Sequence, residues 1–153
     1  MTTLVRRVTD PAEVAAAYLV RHVVFVEEQG VPVELERDER DPGADHFLAR
    51  VDGRPVGAGR LVVERAGFAD LDPGLGPVGH LGRLAVLAEA RGAGLGAALV
   101  QAVEARAAER RLAVVYLGAQ THAIAFYERL GYTAYGPQFD DAGLPHRHMQ
   151  RRL

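Results

Sequence analysis

The stretch that decides the fold reads HLGRLAVLAEARGAGLG over residues 80–96. Its first part, His80–Leu87, is apolar and predicts a strand, and the alanine-rich segment Gly94–Arg110 predicts a long helix. Between them lies the glycine-rich turn Arg91–Gly96. Glycine has no Cβ to keep an anion away from the free amides of a helix start, and the helix dipole and an arginine both attract negative charge. The turn therefore predicts a pyrophosphate-binding site.

Two other nucleotide-binding loops fit these residues less well. A Walker-type loop ends in Gly-Lys-Ser/Thr, whereas Gly96 is followed by Ala97-Ala98. A dinucleotide-binding fingerprint needs the spacing GxGxxG and an acid at the end of the next strand. Here the spacing is GxGxG, and the next strand ends in Gly118-Ala119-Gln120. A glycine cluster alone is equally typical of a plain tight turn, so the rest of the chain must decide.

The other elements follow in an order that predicts a mixed sheet covered by helices. Asp10-Pro11 predicts a helix start, and Asp52-Gly53 predicts a hairpin turn. Segment Gln29–Ala44, rich in acids, proline and glycine, predicts a loop long enough to be functional. Further predicted helices span 13–28, with a break at Arg21-His22, and Ala123–Leu130. A link is predicted over Gly67–Gly79. Further strands are predicted over Thr3–Val8, His46–Val51, Pro55–Glu64, Leu112–Leu117, Tyr132–Tyr135 and Pro145–Gln150.

Composition narrows the class of protein. The 153 residues suit one domain, 1–153, and 48% hydrophobic with 25% charged residues is typical of globular proteins. The net charge of -2 argues against nucleic acid as a partner. The absence of cysteine excludes a disulfide framework, a thiolate metal site and a cysteine nucleophile. His146 and His148 share a strand face without a third ligand at suitable spacing, so we expect no metal. With no long apolar run and no signal peptide, we expect no membrane partner and a cytoplasmic location.

Two motifs resemble the GNAT superfamily of N-acetyltransferases. The turn Arg91–Gly96 fits the superfamily's Q/R-x-x-G-x-G/A signature, which follows a strand similar to Gly82–Val86 and opens a helix. Further along, Ala123–Tyr132 is similar to the superfamily's A-x-x-F-Y-E-x-L-G-F/Y helix, although Gln120 stands where many members carry asparagine. A resemblance to the ElaA/YjcF-like branch is carried by Tyr116–His122, Gly143–His146 and Phe25–Gln29.

The resemblance implies an α+β fold with a mixed, mostly antiparallel sheet of about seven strands. About four helices would flank this sheet, which would be splayed between its fourth and fifth strands. It also implies acetyl-coenzyme A as cosubstrate and acetyl transfer to a primary amine of an unidentified small molecule or peptide, by direct attack in a ternary complex. A homodimer would be a common assembly. The residues that match the superfamily's cofactor contacts are Leu84, Ala85, Val86, Arg91, Gly92, Ala93, Gly94, Leu95, Gly96, Ala97, Gln120, Phe126 and Tyr127.

The resemblance places Tyr127 as the general acid for the leaving thiolate. The amine must lose a proton before it attacks, because an alkyl ammonium, with a reference pKa of about 10.4, has no lone pair. His80 and His146 are the preferred catalytic bases. Other candidates are Glu28, Glu34, Asp38 and His46.

Several readings stay open at the level of the sequence. Arg83, a charge in an apolar strand, either faces a polar cleft or pairs with an acid. The acidic run Glu34–Asp41 either attracts a cationic acceptor or is only a solvated face. A non-catalytic acyl-coenzyme A-binding module of the same fold would share every cofactor residue, and a phosphate-binding module of another fold would share the glycine turn.

Overall fold

Seven strands form one mixed sheet in the computed structural model, which describes residues 1–153. Neighbouring strands are antiparallel, except that the fourth and fifth run parallel. The strands are β1 (Thr3–Val8), β2 (Asp45–Val51), β3 (Arg54–Arg65), β4 (Pro77–Val86), β5 (Val114–Gln120), β6 (Thr133–Asp141) and β7 (Leu144–Arg152). Their order across the sheet is β1-β2-β3-β4-β5-β7-β6. The predicted fold class is confirmed.

Four α-helices accompany the sheet: α1 (Pro11–Arg21), α2 (Val33–Glu36), α3 (Leu95–Glu109) and α4 (Ile124–Arg129). Asp10 caps α1 as predicted, since its side chain accepts a hydrogen bond from the Ala12 amide at 2.8 Å. The predicted division at Arg21-His22 falls where α1 ends, but the backbone does not leave the helical conformation there. The helix continues there into a π-helix, His22–Glu28, whose wider turns keep the backbone bonded while they shift the side chains round the axis.

The connections around β3 differ in part from the prediction. Asp52 and Gly53 make the expected hairpin turn, with φ of 50° and 80°. β3 and β4 are longer than predicted because their pairing runs on to Arg65 and Pro77. The predicted link Gly67–Gly79 therefore contains the start of β4. It also contains most of the 3₁₀ turn Ala66–Ala69 and all of the 3₁₀ turn Pro73–Leu75.

β4 and β5 pair only near their starts. The parallel ladder joins Gly79 to Val115 and His80 to Tyr116, and beyond that point the strands separate. β5 pairs instead with β7, as far as Gln120. The sheet therefore opens into a V whose apex is the pair His80 and Tyr116.

A β-bulge shapes one arm of the V. Arg83 has a φ of 52°, in the left-handed region that residues with a Cβ rarely adopt. The register between β3 and β4 shifts here, between Ala58 and Arg60. After the bulge, Ala85 and Val86 pair with β3 on one edge, and the edge towards β5 has no partner strand.

The core lies between the sheet and the two longer helices. α1 packs on β2, β3 and β4, and α3 packs on β1 to β4. Gly57 allows α3 to come close, because a Cβ there would lie 3.0 Å from a Leu99 methyl carbon. A smaller apolar cluster that includes Val78, Val114 and Tyr116 supports the apex of the V. None of the helices combines the length and the apolar character that a membrane crossing requires.

Candidate active site

A cavity of about 660 Å³ fills the V between β4 and β5. Its walls come from β4, β5, α4, the β6–β7 hairpin and the loop between the π-helix and β2. A second cavity of about 500 Å³ adjoins the end of β4 and the glycine turn. Clefts of this size accommodate small organic ligands. The two cavities share Gln29, Leu84, Gln120, His122 and Leu144, so they form two parts of one cleft.

The glycine turn leaves open space in front of its backbone. Gly92 and Gly94 have φ of 87° and 81°, and no heavy atom lies within 4 Å of where a Cβ would stand on either residue. Gly94 is the N-cap of α3, and no side chain caps the helix. The amides of the first helical turn have no carbonyl partner within the helix. These features fit an anionic group such as a pyrophosphate.

Gly96 has a different reason to be glycine. A Cβ on this residue would lie 3.3 Å from Cζ of Phe126, on α4. The two motifs of the sequence therefore meet in space, where the start of α3 packs against the Phe126 ring.

Arg91 lies where the turn meets the second cavity, and its charge is already engaged. Its guanidinium donates two hydrogen bonds to Glu28 on the π-helix, at 2.7 and 2.8 Å, and one to the Val86 carbonyl at 2.9 Å. The hydrogen bond from Arg91 lowers the pKa of Glu28. Both side chains remain nearly half exposed. Glu28, a candidate base in the sequence, is thus the ion-pair partner of Arg91 in the glycine turn.

Tyr127 lines the larger cavity with no protein partner for its hydroxyl. The residue is 8% exposed, and its ring packs edge-on against Phe126 and Tyr132. Burial raises the pKa of Tyr127 well above its usual value, so the hydroxyl keeps its proton. Such a group can donate a proton or a hydrogen bond into the cleft.

Gln120, at the end of β5, is held by two neighbouring side chains. Its amide nitrogen donates to Gln29 Oε1 at 2.8 Å, and its oxygen accepts from His122 Nε2 at 2.7 Å. It lines both cavities, as a cofactor contact would.

His80 stands at the apex of the V and lines the larger cavity. Its ring stacks on Tyr116, with centroids 4.4 Å apart, and its Nδ1 lies 3.3 Å from Oε1 of Glu64. Burial alone would raise the pKa of Glu64, but hydrogen bonds from His80 and Tyr116, with the charge of Arg40, lower it to about 2. The histidine therefore faces an ionised carboxylate.

The other candidate bases are spread over the molecule. His146 lines the larger cavity, and its Nδ1–H donates to the Leu144 carbonyl at 2.8 Å. Asp38 also lines this cavity. His46 lies outside both cavities, buried, with Nε2–H donating to the Asp41 carbonyl at 2.8 Å. Glu34 is exposed and lines neither cavity.

The acidic run Glu34–Asp41 is neither a free anionic surface nor only a solvated face. The buried Arg21 bonds Glu36 at 2.8 Å and Asp41 at 2.7 Å. Arg60 bonds Asp38 at 2.7 Å and Asp41 at 3.0 Å. The inner carboxylates of the run are thus paired with arginines from α1 and β3.

Arg83 joins this network from the bulge in β4. Its Nε donates to the Glu36 carbonyl at 3.0 Å, and its guanidinium lies 3.4 Å from Asp38. Both readings of Arg83 from the sequence hold, because it lines the polar cavity and also pairs with an acid. The network ties the loop before β2 to the strand on which the cleft is built.

Glu64 and Tyr116 were not predicted from the sequence as members of the site. Glu64 lies at the end of a predicted strand and Tyr116 in a continuous apolar run, so neither belongs to a short motif of catalytic residues. Only the pairing of β3, β4 and β5 brings them beside His80. The one signal that could have pointed to Glu64 is a charge on the same strand face as His80. This signal can be recognised only when the register between β3 and β4 is known.

Residues 10–153 match the family model of the acetyltransferase (GNAT) domain. Over 136 residues the chain is 38% identical to the uncharacterized N-acetyltransferase YjcF of Bacillus subtilis, and the match covers 88% of this chain and 89% of YjcF. A Lactobacillus plantarum structure assigned as an N-acetyltransferase superposes with a TM-score of 0.85 and 27% identity, covering 100% and 99% of the two chains. Escherichia coli ElaA superposes with a TM-score of 0.78 and 25% identity, covering 98% of each. The resemblance seen in the sequence is confirmed, with its ElaA/YjcF-like branch.

Proposed function

The chain belongs to the GNAT acetyltransferase family, and from that premise we propose that it transfers an acetyl group from acetyl-coenzyme A to a primary amine. The acceptor would be a small molecule or a peptide, and the amine would attack directly within a ternary complex. One observation carries the proposal. A single cavity is lined by Leu84 of the splayed strand, the unbonded hydroxyl of Tyr127, and His80.

The residues expected to hold acetyl-coenzyme A fit that molecule. The amides of Gly94–Ala97, with Arg91, would bind its pyrophosphate, and the unpaired edge of Leu84–Val86 would pair with its pantetheine arm. When bound, acetyl-coenzyme A supplies an activated thioester, so that the new C–N bond forms as the C–S bond breaks and its electron pair stays on sulfur. A backbone N–H of Leu84–Val86 would stabilise the charge on the carbonyl oxygen. Gln120 and Phe126 line the cavity beside this strand.

The proton transfers fall to two side chains. His80 takes a proton from the acceptor ammonium at Nε2, and the neutral amine then has its lone pair. Tyr127, whose hydroxyl is kept protonated by burial, gives its proton to the departing sulfur. Overall, the ammonium nitrogen loses two protons. His80 passes the first to solvent, and the second, released as the amide forms, replaces the proton that Tyr127 gave to the thiol. His146, whose Nδ1–H is bonded to a backbone carbonyl, is the second candidate base.

The test combines calorimetric titration of acetyl-coenzyme A with thiol release over a panel of amines. We expect binding, and thiol release with at least one amine. Binding without release on any amine would identify a non-catalytic acyl-coenzyme A-binding module, and absence of binding would overturn the cofactor assignment.

Tyr127→Phe tests the acid. The variant keeps the ring and should bind acetyl-coenzyme A normally, while turnover falls about 100-fold or more, in the range that general acids contribute. Tyr18→Phe is the matched control, since Tyr18 lines neither cavity and should tolerate the same change. Full turnover in Tyr127→Phe would remove the hydroxyl from the mechanism.

A further inference from the structure

The apex of the V holds a cluster of polar side chains that lies apart from the glycine turn. Val62 lies opposite His80 in the β3–β4 ladder, so Glu64, two residues on, shares the strand face of His80 and is its diagonal neighbour. Tyr116, from β5, stacks on the histidine from the other side. Three strands therefore place a carboxylate, an imidazole and a phenol together at the bottom of the cleft.

Glu64 is surrounded by hydrogen-bond donors. Its side chain is only 6% exposed, and it contacts the Tyr116 hydroxyl, the Arg40 guanidinium and Nδ1 of His80. Burial, followed by the hydrogen bond to Glu64, raises the pKa of Tyr116, so this hydroxyl remains a donor. The donors hold the carboxylate ionised, which makes Glu64 a poor proton acceptor in its own right.

An ionised carboxylate fixes the tautomer of the imidazole beside it. A carboxylate only accepts hydrogen bonds, so the nitrogen that faces Glu64 must carry the proton. Arg40 also approaches Nδ1, at 3.4 Å, but its closer contact is with the carboxylate. The remaining nitrogen, Nε2, has no protein partner and lies 4.0 Å from where a Cβ on Gly82 would stand, beside the bulge of β4. Its lone pair is free towards the cleft.

No other group that faces His80 reverses the preference of its imidazole for the Nδ1–H tautomer. Tyr116 on β5 presents its ring face to the imidazole, and its hydroxyl is bonded to Glu64. His148 on β7 is packed edge-on against Tyr116, and burial lowers its pKa, so it stays neutral near pH 7. Arg40 and Glu64 are the charges at the cluster.

We propose that Glu64 is a positioning residue, which holds His80 as the Nδ1–H tautomer so that Nε2 can take the proton of the acceptor amine. The inference rests on the proposed function for the meaning of that proton transfer. The tautomer itself can be measured without any acceptor. Arg40 and Tyr116 act on the same carboxylate and keep it oriented.

Glu64→Leu is the informative change. In a glutamine the amide oxygen could stay at the Oε1 position, which faces both Arg40 and His80, whereas leucine removes both acceptor oxygens. Arg40, which only donates and lies 3.4 Å from Nδ1, is then the polar group that faces this nitrogen, and it favours the tautomer with the proton on Nε2. We expect kcat to fall about 100-fold or more, as for loss of a general base, with little change in the affinity for acetyl-coenzyme A.

Nitrogen-15 NMR of the imidazole reads the tautomer directly, with the His80 signals assigned by their loss in His80→Gln. We expect a protonated Nδ1 and a bare Nε2 in the protein as it stands, and the reverse in Glu64→Leu. Glu64→Asp, which keeps the charge, should retain the original tautomer and recover part of kcat. Glu89→Leu, in which an exposed carboxylate is changed in the same way, should alter neither the tautomer nor kcat.

A protonated Nε2 in the unchanged protein would overturn the proposal, and so would a Glu64→Leu variant with full kcat. If the tautomers are as expected but no amine is acetylated, the proposed function fails. The conclusion that Glu64 sets the tautomer of His80 then still stands. Loss of acetyl-coenzyme A binding in Glu64→Leu and Glu64→Asp alike would assign Glu64 to the fold and overturn its role as a positioning residue.

Discussion

The two ends of the cleft are built from different parts of the chain. At the glycine turn the candidate ligand groups are backbone amides from one continuous segment, Arg91–Ala97, in which three of the seven residues are glycines. At the apex and along the loop before β2, the groups are side chains from α1, β3, β4 and β5, held in a network of ion pairs such as those of Arg21 and Arg60. A backbone site depends on local φ and ψ, whereas a side-chain site depends on the packing of the whole fold.

This difference predicts two kinds of failure. A change at the glycine turn should remove binding and spare the fold, because open space surrounds Gly92 and Gly94. A change in the arginine network should damage the fold itself, because its charges are buried and compensate one another.

The largest expected effect is that of Arg21→Met. Arg21 is 1% exposed and pairs with Glu36 and Asp41, whose carboxylates would remain buried without that partner. Breaking a buried pair from one side typically costs about 3–5 kcal/mol. Urea denaturation should show a loss of this size in the free energy of unfolding.

The control for Arg21 is Arg54→Met. Arg54 also pairs with a carboxylate, Glu89 at 2.6 Å, but both side chains are more than half exposed. Exposed pairs contribute about 0–1 kcal/mol, so the stability should barely change. Equal losses in the two variants would mean that the network does not hold the loop.

Gly94→Glu should have the next largest effect, and the effect should be on binding. A glutamate there brings a negative charge into the space expected for the pyrophosphate and forces a side chain onto a φ of 81°. We expect the affinity for acetyl-coenzyme A, measured by calorimetry, to fall about 100-fold or more, equivalent to about 2.7 kcal/mol.

Gly53→Glu separates charge at the site from backbone strain. Gly53 has a φ of 80° in the β2–β3 hairpin and also has no heavy atom within 4 Å of its Cβ position. Both variants should lose about 1–2 kcal/mol of stability from the strained backbone, and only Gly94→Glu should lose affinity. Comparable affinity losses would show that the strain acts at a distance and that the turn is not the binding site.

The sequence was sufficient for most of the fold because the decisive features are local. The strand, turn and helix of residues 80–96, the Asp10 cap and the Asp52-Gly53 turn each follow from the conformational preferences of a few adjacent residues. The change from α to π winding after Arg21 could not be predicted in this way. No residue type at Arg21-His22 marks a π turn, and apolar spacing near helical period fits both windings.

The same limit applies to the site. The glycine turn and the Tyr127 helix are contiguous and match motifs. The acidic run Glu34–Asp41 looked like a free surface because its partners Arg21 and Arg60 are distant in sequence. Likewise, Glu64 reaches His80 only through the register of β3 and β4. A side-chain network of this kind can be recognised only when the pairing of the strands is known.

The smallest expected effect lies where the two kinds of site meet, at the ion pair of Glu28 and Arg91. The Glu28 carboxylate accepts hydrogen bonds from the Arg91 guanidinium, which is expected to bind the pyrophosphate. An anionic ligand must therefore displace Glu28 or share Arg91 with it. Glu28→Gln removes the competing charge and should tighten acetyl-coenzyme A binding about 2- to 5-fold, since an exposed ion pair contributes up to about 1 kcal/mol.

Salt provides an internal check on this prediction, because exposed charges are screened over about 10 Å at 0.1 M salt and over about 3 Å at 1 M. The gain in Glu28→Gln should be largest at low ionic strength and should shrink as salt is added. Glu27→Gln is the matched control, since this neighbouring carboxylate is 61% exposed and does not contact Arg91. Weaker binding in Glu28→Gln would mean that Glu28 orients Arg91 for the ligand rather than competes with it, so the backbone site would depend on a side-chain network after all.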